Sequence, residues 1–252
     1  MGKIALITGA TSGIGFASAK KFAENNYDLI ITGRRKERLD KLRGELLGKY
    51  KIKVLALSFD VRSLSEVVEN LGNLDNEWRD IDVLVNNAGL AVGLNHIDDG
   101  VIDDWERMID TNVKGLLYVT RVISPGMVER GRGHIVNIGS IAGKEVYENG
   151  NVYCATKHAV DALSRAMRID LVKHGIKVSN VAPGLVRTEF SDVRFKGDSK
   201  KAEVPYKGMK PLSGEDIAGV IFFCVNQPPH VNIDDILVMP AAQASSTVVH
   251  RT

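Results

Sequence analysis

Ser140, Tyr153 and Lys157 are the residues of this chain whose types and spacing suit proton transfer at an oxygen atom. Tyr153 and Lys157 fall four residues apart in Tyr-Cys-Ala-Thr-Lys, in a stretch that reads as a helix, so their side chains share one face. A phenol titrates near ~10 in water, and a proton donor or acceptor working near neutrality needs a cation beside it to lower that value. Lys157 is the expected source of that charge. Ser140 ends the apolar run His-Ile-Val-Asn-Ile-Gly-Ser, where a strand end would hold its hydroxyl against the same oxygen as a hydrogen-bond donor. Tyr and Lys meet at helical spacing by chance in many proteins, so the weight of the pair comes from what precedes it.

Near the amino terminus, the apolar run Lys3–Thr8 is followed at once by Gly9-Ala-Thr-Ser-Gly13-Ile-Gly15 and a helix-compatible stretch from Phe16 to Glu24. Strand, glycine turn and helix in that order let backbone N–H groups and the positive end of a helix dipole approach a pyrophosphate, with glycines where a Cβ would obstruct it. The spacing departs from G-x-G-x-x-G, and no Gly-Lys-Ser/Thr follows, which argues against a nucleotide triphosphate P-loop. A plain turn is the alternative reading of the glycines.

Taken together, Thr8-Gly-Ala-Thr-Ser-Gly-Ile-Gly15, Asn86-Asn-Ala-Gly89, Asn112, Ser140 and Tyr153-x-x-x-Lys157 resemble the short-chain dehydrogenase/reductase family, in order and at its spacings, over nearly the whole chain. More narrowly, Asp110-Thr-Asn-Val-Lys-Gly115, Pro125-Gly-Met-Val-Glu-Arg130, Thr188-Glu-Phe-Ser-Asp-Val-Arg-Phe-Lys-Gly-Asp198 and His230-Val-Asn-Ile-Asp234 resemble its bacterial NADP-dependent 3-hydroxy acid (serine or allo-threonine) dehydrogenases, a subgroup linked to malonic semialdehyde reduction. The resemblance implies a Rossmann-like fold, an NADP(H) cofactor, a small hydroxy acid or oxo acid substrate and a homotetramer built through the long helices near Asp104–Glu129 and Val152–His174. It implies Asn112, Ser140, Tyr153 and Lys157 as catalytic residues, with Asn112 holding a helix kink and a water on the proton route to the lysine. Cofactor contacts are implied at Gly9, Thr11, Ser12, Gly13, Ile14, Gly15, Asp60, Val61, Asn87, Ala88, Gly89, Tyr153, Lys157, Pro183, Gly184, Val186 and Thr188.

The end of the second strand-like run, Asp28-Leu-Ile-Ile-Thr-Gly-Arg34-Arg35, bears on which dinucleotide binds. NAD sites want a carboxylate about twenty residues beyond the glycine turn, whereas guanidinium groups pair bidentately with a 2′-phosphate. Arg34 and Arg35 therefore point to NADP, the alternative being that they solvate the first turn of the next helix, where cations oppose the dipole. Asp60, in Ser-Phe-Asp-Val, matches the family position that contacts the adenine amino group, or else caps a strand end.

The elements that must position these residues follow from periodicity. Strand-like runs at Lys3–Thr8, Asp28–Thr32, Lys53–Ser58, Val83–Val85, His134–Ile138, Lys177–Val181 and Ile236–Met239 alternate with longer amphipathic stretches, Trp105–Ile123 among them, the signature of βαβ units. The expected fold is α/β, a doubly wound parallel sheet flanked by helices on both faces, as a single domain over 1–252 with no dividing linker or repeat. The net charge of +2 suggests no nucleic-acid partner. The start runs straight into a core strand and no apolar run reaches ~18 residues, so cytoplasm is the expected location and no membrane association is expected. Cys154 and Cys224 lack metal-ligand or C-x-x-C spacing, the histidines lack ligand pairing, and neither a disulfide nor a metal is expected.

Polar residues 188–211 break the rhythm and read as a substrate lid on the carboxyl edge of the sheet. A 3-hydroxy acid needs a carboxylate partner; Arg194 is the first candidate, Arg187 or Lys196 the next, and a merely solvated lid the alternative. Tyr147 and Asn151 stand close enough to Tyr153 in the chain to line the pocket. Two other functions fit the same core: a reductase of carrier-bound 3-oxoacyl chains or another carbonyl, and a non-catalytic NADP sensor. Ile233-Asp-Asp-Ile-Leu-Val-Met-Pro-Ala-Ala-Gln243 lacks the Gly-Gly strand end of many carrier-type reductases, and the intact Ser140, Tyr153 and Lys157 oppose the sensor reading.

Overall fold

Strands with apolar side chains at consecutive positions must be covered on both faces, and β1 (Ile4–Ile7) buries all four of its residues. In the computed structural model, which describes residues 2–252, β1 lies in one seven-stranded sheet with β2 (Asp28–Gly33), β3 (Val54–Ser58), β4 (Ile81–Asn86), β5 (Gly133–Ile138), β6 (Ile176–Pro183) and β7 (Asp235–Val238). Their order is β3-β2-β1-β4-β5-β6-β7 and every pairing is parallel. All seven expected strands are present, and the chain is a single doubly wound α/β domain.

Alternation along β1 divides the core. Ala5 and Ile7 join the apolar layer of α1 (Gly13–Glu24), α2 (Lys36–Lys49) and α9 (Gly214–Val225), where Phe22, Leu42 and Ile221 are buried. Ile4 and Leu6 face the opposite layer, built from α3 (Leu64–Leu71), α5 (Leu116–Arg130) and α6 (Asn151–Leu171). Because β1 is flanked by β2 on one side and β4 on the other, the winding reverses there, and a crevice opens beyond the carboxyl ends of these two neighbours.

The stretch Trp105–Ile123, expected as one helix, is three pieces. α4 (Ile102–Ile109) passes through a π-helical turn, Asp110–Gly115, into α5. Asn112 sits in that wider turn, a place where helices commonly deform around a function. The 188–211 excursion is also more ordered than its composition suggests, containing α7 (Phe190–Arg194), α8 (Ser199–Glu203) and a 3₁₀ turn at Val204–Tyr206. Its base is pinned where Arg187 N donates to Leu212 O at 2.8 Å and Leu212 N to Leu185 O at 3.0 Å.

Candidate active site

The glycine turn and the end of β4 are built as one unit. Asn87 Nδ2 donates to Thr8 O at 2.8 Å and Gly9 O at 3.2 Å, and the Thr8 hydroxyl accepts from Asn87 N and Ala88 N. A Cβ on Gly9, whose φ is +67°, would stand 3.0 Å from Ala88 Cα; one on Gly15 would stand 2.4 Å from Gly9 O. Gly15 therefore serves the packing of α1 against the turn. Thr11, Ser12, Gly13 and Ile14 line a cleft of about 610 Å³ that also exposes Asn87, Ala88 and Gly89.

Where β2 ends at the cleft, the two arginines have different partners. Arg35 Nε and Nη2 donate to Thr11 Oγ1 at 3.2 and 2.9 Å, Nη2 donates to Ser12 Oγ at 3.0 Å, and Nη1 donates to Glu189 Oε2 at 2.8 Å. Arg34 is more than half exposed, and among the described residues its guanidinium meets only Asp60, at 3.8 Å. Glu189 also takes Arg38 Nη1. Burial pushes the Glu189 carboxyl up, but hydrogen bonds from Arg35 and Arg38 outweigh it and leave the pKa below its ordinary value. Neither Glu189 nor Arg38 emerged from the sequence; the only signal was an acid in a lid segment with a surplus of partners. Asp60 and Val61 line the cleft. Asp60 accepts from Arg62 Nε, Nη2 and N at 2.9, 2.7 and 3.0 Å. Burial would raise its pKa, yet the Arg62 hydrogen bonds hold it low.

Ser140, Tyr153 and Lys157 meet on the far wall, each less than a tenth exposed. Ser140 follows β5 and its Oγ caps a 3₁₀ turn by accepting from Ala142 N at 3.1 Å. Lys157 Nζ donates to Ile138 O at 2.8 Å, and burial lowers its pKa to about 8. The expectation that Lys157 lowers the tyrosine pKa does not hold for the chain alone. Desolvation, reinforced by Tyr147, raises the Tyr153 pKa above its ordinary value, while Ser140 and the Arg194 guanidinium oppose the shift less strongly. Among the described residues the lysine's side-chain hydrogen bond goes to the strand, at Ile138 O.

Asn112 stands behind this wall, outside the cleft. Its Oδ1 accepts from Leu90 N at 2.8 Å, and its Nδ2 donates to Leu90 O at 2.8 Å and Thr156 Oγ1 at 3.0 Å, tying the π-turn to the β4 loop and α6. Pro183, Gly184, Val186 and Thr188 form the cleft's other edge. There a Cβ on Gly184 would meet Gln243 Oε1 at 2.5 Å, and one on Gly13 would meet Thr188 Cβ at 3.0 Å.

α7 brings Phe190 to 5.7 Å from the Tyr153 ring and Arg194 to 5.5 Å from it. Arg194 Nη2 donates to Tyr147 Oη at 2.8 Å, and its buried Nε has no hydrogen-bond partner among the described residues. The other candidates for a substrate carboxylate are engaged: Arg187 with Glu203 at 2.6 and 2.5 Å, Lys196 with Asp104 at 2.8 Å. Tyr147 lines the cleft, but Asn151 does not; its Nδ2 is spent on Asn95 O at 2.9 Å.

A parallel sheet with a glycine turn at its switch point, and a Ser, Tyr and Lys set at the adjoining strand end, defines an oxidoreductase acting on CH–OH groups. The family model described as short chain dehydrogenase matches residues 3–198, and the chain belongs to that family. It is 49% identical over 251 residues to the NADP-dependent 3-hydroxy acid dehydrogenase YdfG of Salmonella typhi, covering 99% of this chain and 100% of that one. An NADP-dependent 3-hydroxy acid dehydrogenase of Schizosaccharomyces pombe is 44% identical, with 99% and 97% covered. A serine dehydrogenase solved in its closed form with NADP+ superposes with a TM-score of 0.93 at 45% identity, covering 99% of this chain and 100% of that one. No helix among the described residues is long and apolar enough to cross a membrane.

Proposed function

We propose that this chain is an NADP(H)-dependent dehydrogenase of small 3-hydroxy acids, of the serine, allo-threonine or 3-hydroxypropionate type, and of their 3-oxo counterparts. The observation that carries the reading is the Arg194 guanidinium, held in the cleft against the Tyr153 ring with its buried Nε unpaired. An unmatched guanidinium edge beside a proton-transferring phenol suits a substrate bearing a carboxylate near its hydroxyl.

The donor set fits the dinucleotide. Gly9, Thr11, Ser12, Gly13 and Ile14 would take the pyrophosphate, Arg34 and Arg35 the 2′-phosphate, Asp60 and Val61 the adenine, and Pro183, Gly184, Val186, Thr188 and Lys157 the nicotinamide half. When bound, the nicotinamide supplies hydride acceptance and donation. Tyr153, a neutral phenol whose pKa burial raises above its ordinary value, donates its proton to the developing alkoxide in reduction; as phenolate it removes the hydroxyl proton in oxidation. Ser140 donates a hydrogen bond to the same oxygen, and its main-chain tie to Ala142 fixes the hydroxyl there. Lys157, with a pKa near 8, can exchange protons near neutrality, and Asn112 in the π-turn holds the route onward.

The 188–211 segment serves as the lid. Exposed apolar side chains on the two long helices, Leu117 on α5 and Ile169 on α6, support a homotetramer, and two buried free thiols suit the cytoplasm. Light scattering on the eluted protein tests the assembly.

A second reading, a carrier-bound 3-oxoacyl reductase, has support in a 3-ketoacyl-ACP reductase from Sinorhizobium meliloti that superposes with a TM-score of 0.83 at 29% identity, covering 94% of this chain. Steady-state rates with both cofactors on L-serine, L-allo-threonine, 3-hydroxypropionate, 3-hydroxybutyrate and an acyl-carrier substrate separate the two. Turnover confined to the acyl carrier would reject the hydroxy acid reading.

A further inference from the structure

α7 presents both Phe190 and Arg194 to Tyr153, yet a five-residue helix has too few internal hydrogen bonds to hold its own place. Its amino end is fastened by Glu189 to Arg35 and Arg38. Its carboxyl end is fastened differently. Arg194 O accepts from Gly93 N at 3.0 Å, and two residues later Lys196 Nζ reaches Asp104 Oδ2 at 2.8 Å. The Asp104 side chain is only 5% exposed, and its one other cation among the described residues, Arg107, lies at 3.9 Å. A carboxylate buried to that degree needs a close cation.

The backbone around the pair is shaped for it. Lys196 has φ +53°, a left-handed conformation that costs a residue with a Cβ and persists only where something compensates. Gly93 has φ +74°, and a Cβ there would stand 2.8 Å from Asp104 Oδ2. Thus the loop after β4 gives way to the carboxylate, and the chain after α7 turns through a strained residue to deliver the ammonium.

We propose that Asp104 and Lys196 are a positioning pair: their ion contact locks the carboxyl end of α7 so that Arg194 and Phe190 stay over Tyr153, which sets substrate affinity without touching substrate. The proposal rests on the lid and carboxylate readings above, but its conformational arm does not depend on what the substrate is.

The test uses full-length protein with Lys196→Met, Asp104→Asn, the double variant and Lys196→Arg. In a Trp78→Phe background Trp105 is the sole tryptophan; it adjoins Asp104 and packs against the cluster holding Leu90 and Tyr153. In NADP-saturated Lys196→Met, acrylamide quenching of Trp105 rises and KM for the hydroxy acid increases about tenfold, the lysine end of the pair being half exposed and partly screened. NADP affinity and kcat change by less than about threefold, since neither reacting group is touched. Lys196→Arg restores KM and quenching, and the double variant loses no more than Lys196→Met alone, as expected when both substitutions remove one contact. Lys196 is exposed enough for its variants to fold even if Asp104→Asn does not. Wild-type KM and quenching in Lys196→Met overturn the proposal, as do additive losses in the double variant. If the carboxylate reading fails, Arg194→Ala affects acid and ester alike while the quenching change remains; if the clamp fails, the quenching change is the arm that disappears.

Discussion

Lys157 Nζ donates a hydrogen bond to the Ile138 carbonyl at 2.8 Å, two residues before Ser140, so the lysine is anchored to the strand that delivers the serine. Burial keeps it at a pKa of about 8 and raises that of Tyr153 above the ordinary phenol value. In the chain alone both groups therefore favour their neutral forms as pH rises from neutrality toward 10. Any lowering of the tyrosine pKa has to come with cofactor and substrate in the cleft.

The buried ammonium gives a pH signature. Its pKa lies below the unfolded value of 10.5, so the cost of burying the charge is fully present below about pH 8 and fades as pH rises to 10.5. Lys157→Met should accordingly gain stability over wild type at pH 7, and that difference should shrink by on the order of 3 kcal/mol by pH 10.5. Urea titrations of ligand-free protein at pH 7 and pH 10 measure it; a pH-independent difference would mean that Lys157 is not desolvated.

Tyr153→Phe should lower kcat by at least the ~10²–10⁴-fold expected of a lost general acid, with NADP affinity near wild type. The phenolic oxygen acts on the substrate proton, and the ring contacts with Phe190 and Arg194 survive the change. Single-turnover rates and cofactor titration check both halves. Retention of most of kcat would remove Tyr153 from the chemistry.

Fold and site were legible wherever local pattern dictates geometry. A short run of consecutive apolar residues such as Ala5, Leu6 and Ile7, ended at once by a glycine turn, suits a strand covered on both faces, and the positive φ of Gly9 and Gly13 is one that glycine adopts without steric cost. Tyr153 and Lys157 share a helix face by spacing. What stayed hidden depends on long-range partners: Glu189 meets Arg35 across more than a hundred and fifty residues of chain, and no spacing rule links them. Lys157 likewise had to be seen turned to Ile138 before its supposed effect on the phenol could be corrected. The kink at Asn112 was implied by the resemblance alone; nothing in the local pattern Asp110-Thr-Asn-Val-Lys-Gly115 marks it as a π-helical turn.

Arg34 and Arg35 should separate on mutation, although the sequence presents them as equals. Arg34→Leu is expected to weaken NADP by the 1.5–3 kcal/mol typical of a lost charged hydrogen bond and to leave NAD unchanged, because its guanidinium is otherwise free of all but a distant contact with Asp60. Arg35→Leu should weaken both dinucleotides, since it also holds Thr11, Ser12 and the lid residue Glu189. Fluorescence titration with NADPH and NADH decides; an effect of Arg35→Leu confined to NADPH would assign Arg35 to the phosphate alone.

Arg194→Ala reaches past the cofactor to the substrate. If the unpaired Nε edge receives the carboxylate, KM for a 3-hydroxy acid should rise by the equivalent of about 1.5–3 kcal/mol, and far less for the matching methyl ester, which carries no charge to lose. The Tyr147 hydroxyl would lose its Arg194 donor in either case, so that disturbance cancels in the ratio. Measuring kcat/KM for acid and ester in both proteins isolates the charge effect. Equal losses on the two substrates would leave Arg194 with only a packing role over Tyr153, and because Arg187 and Lys196 are already held by Glu203 and Asp104, the carboxylate would then have to be bound by none of these three cations.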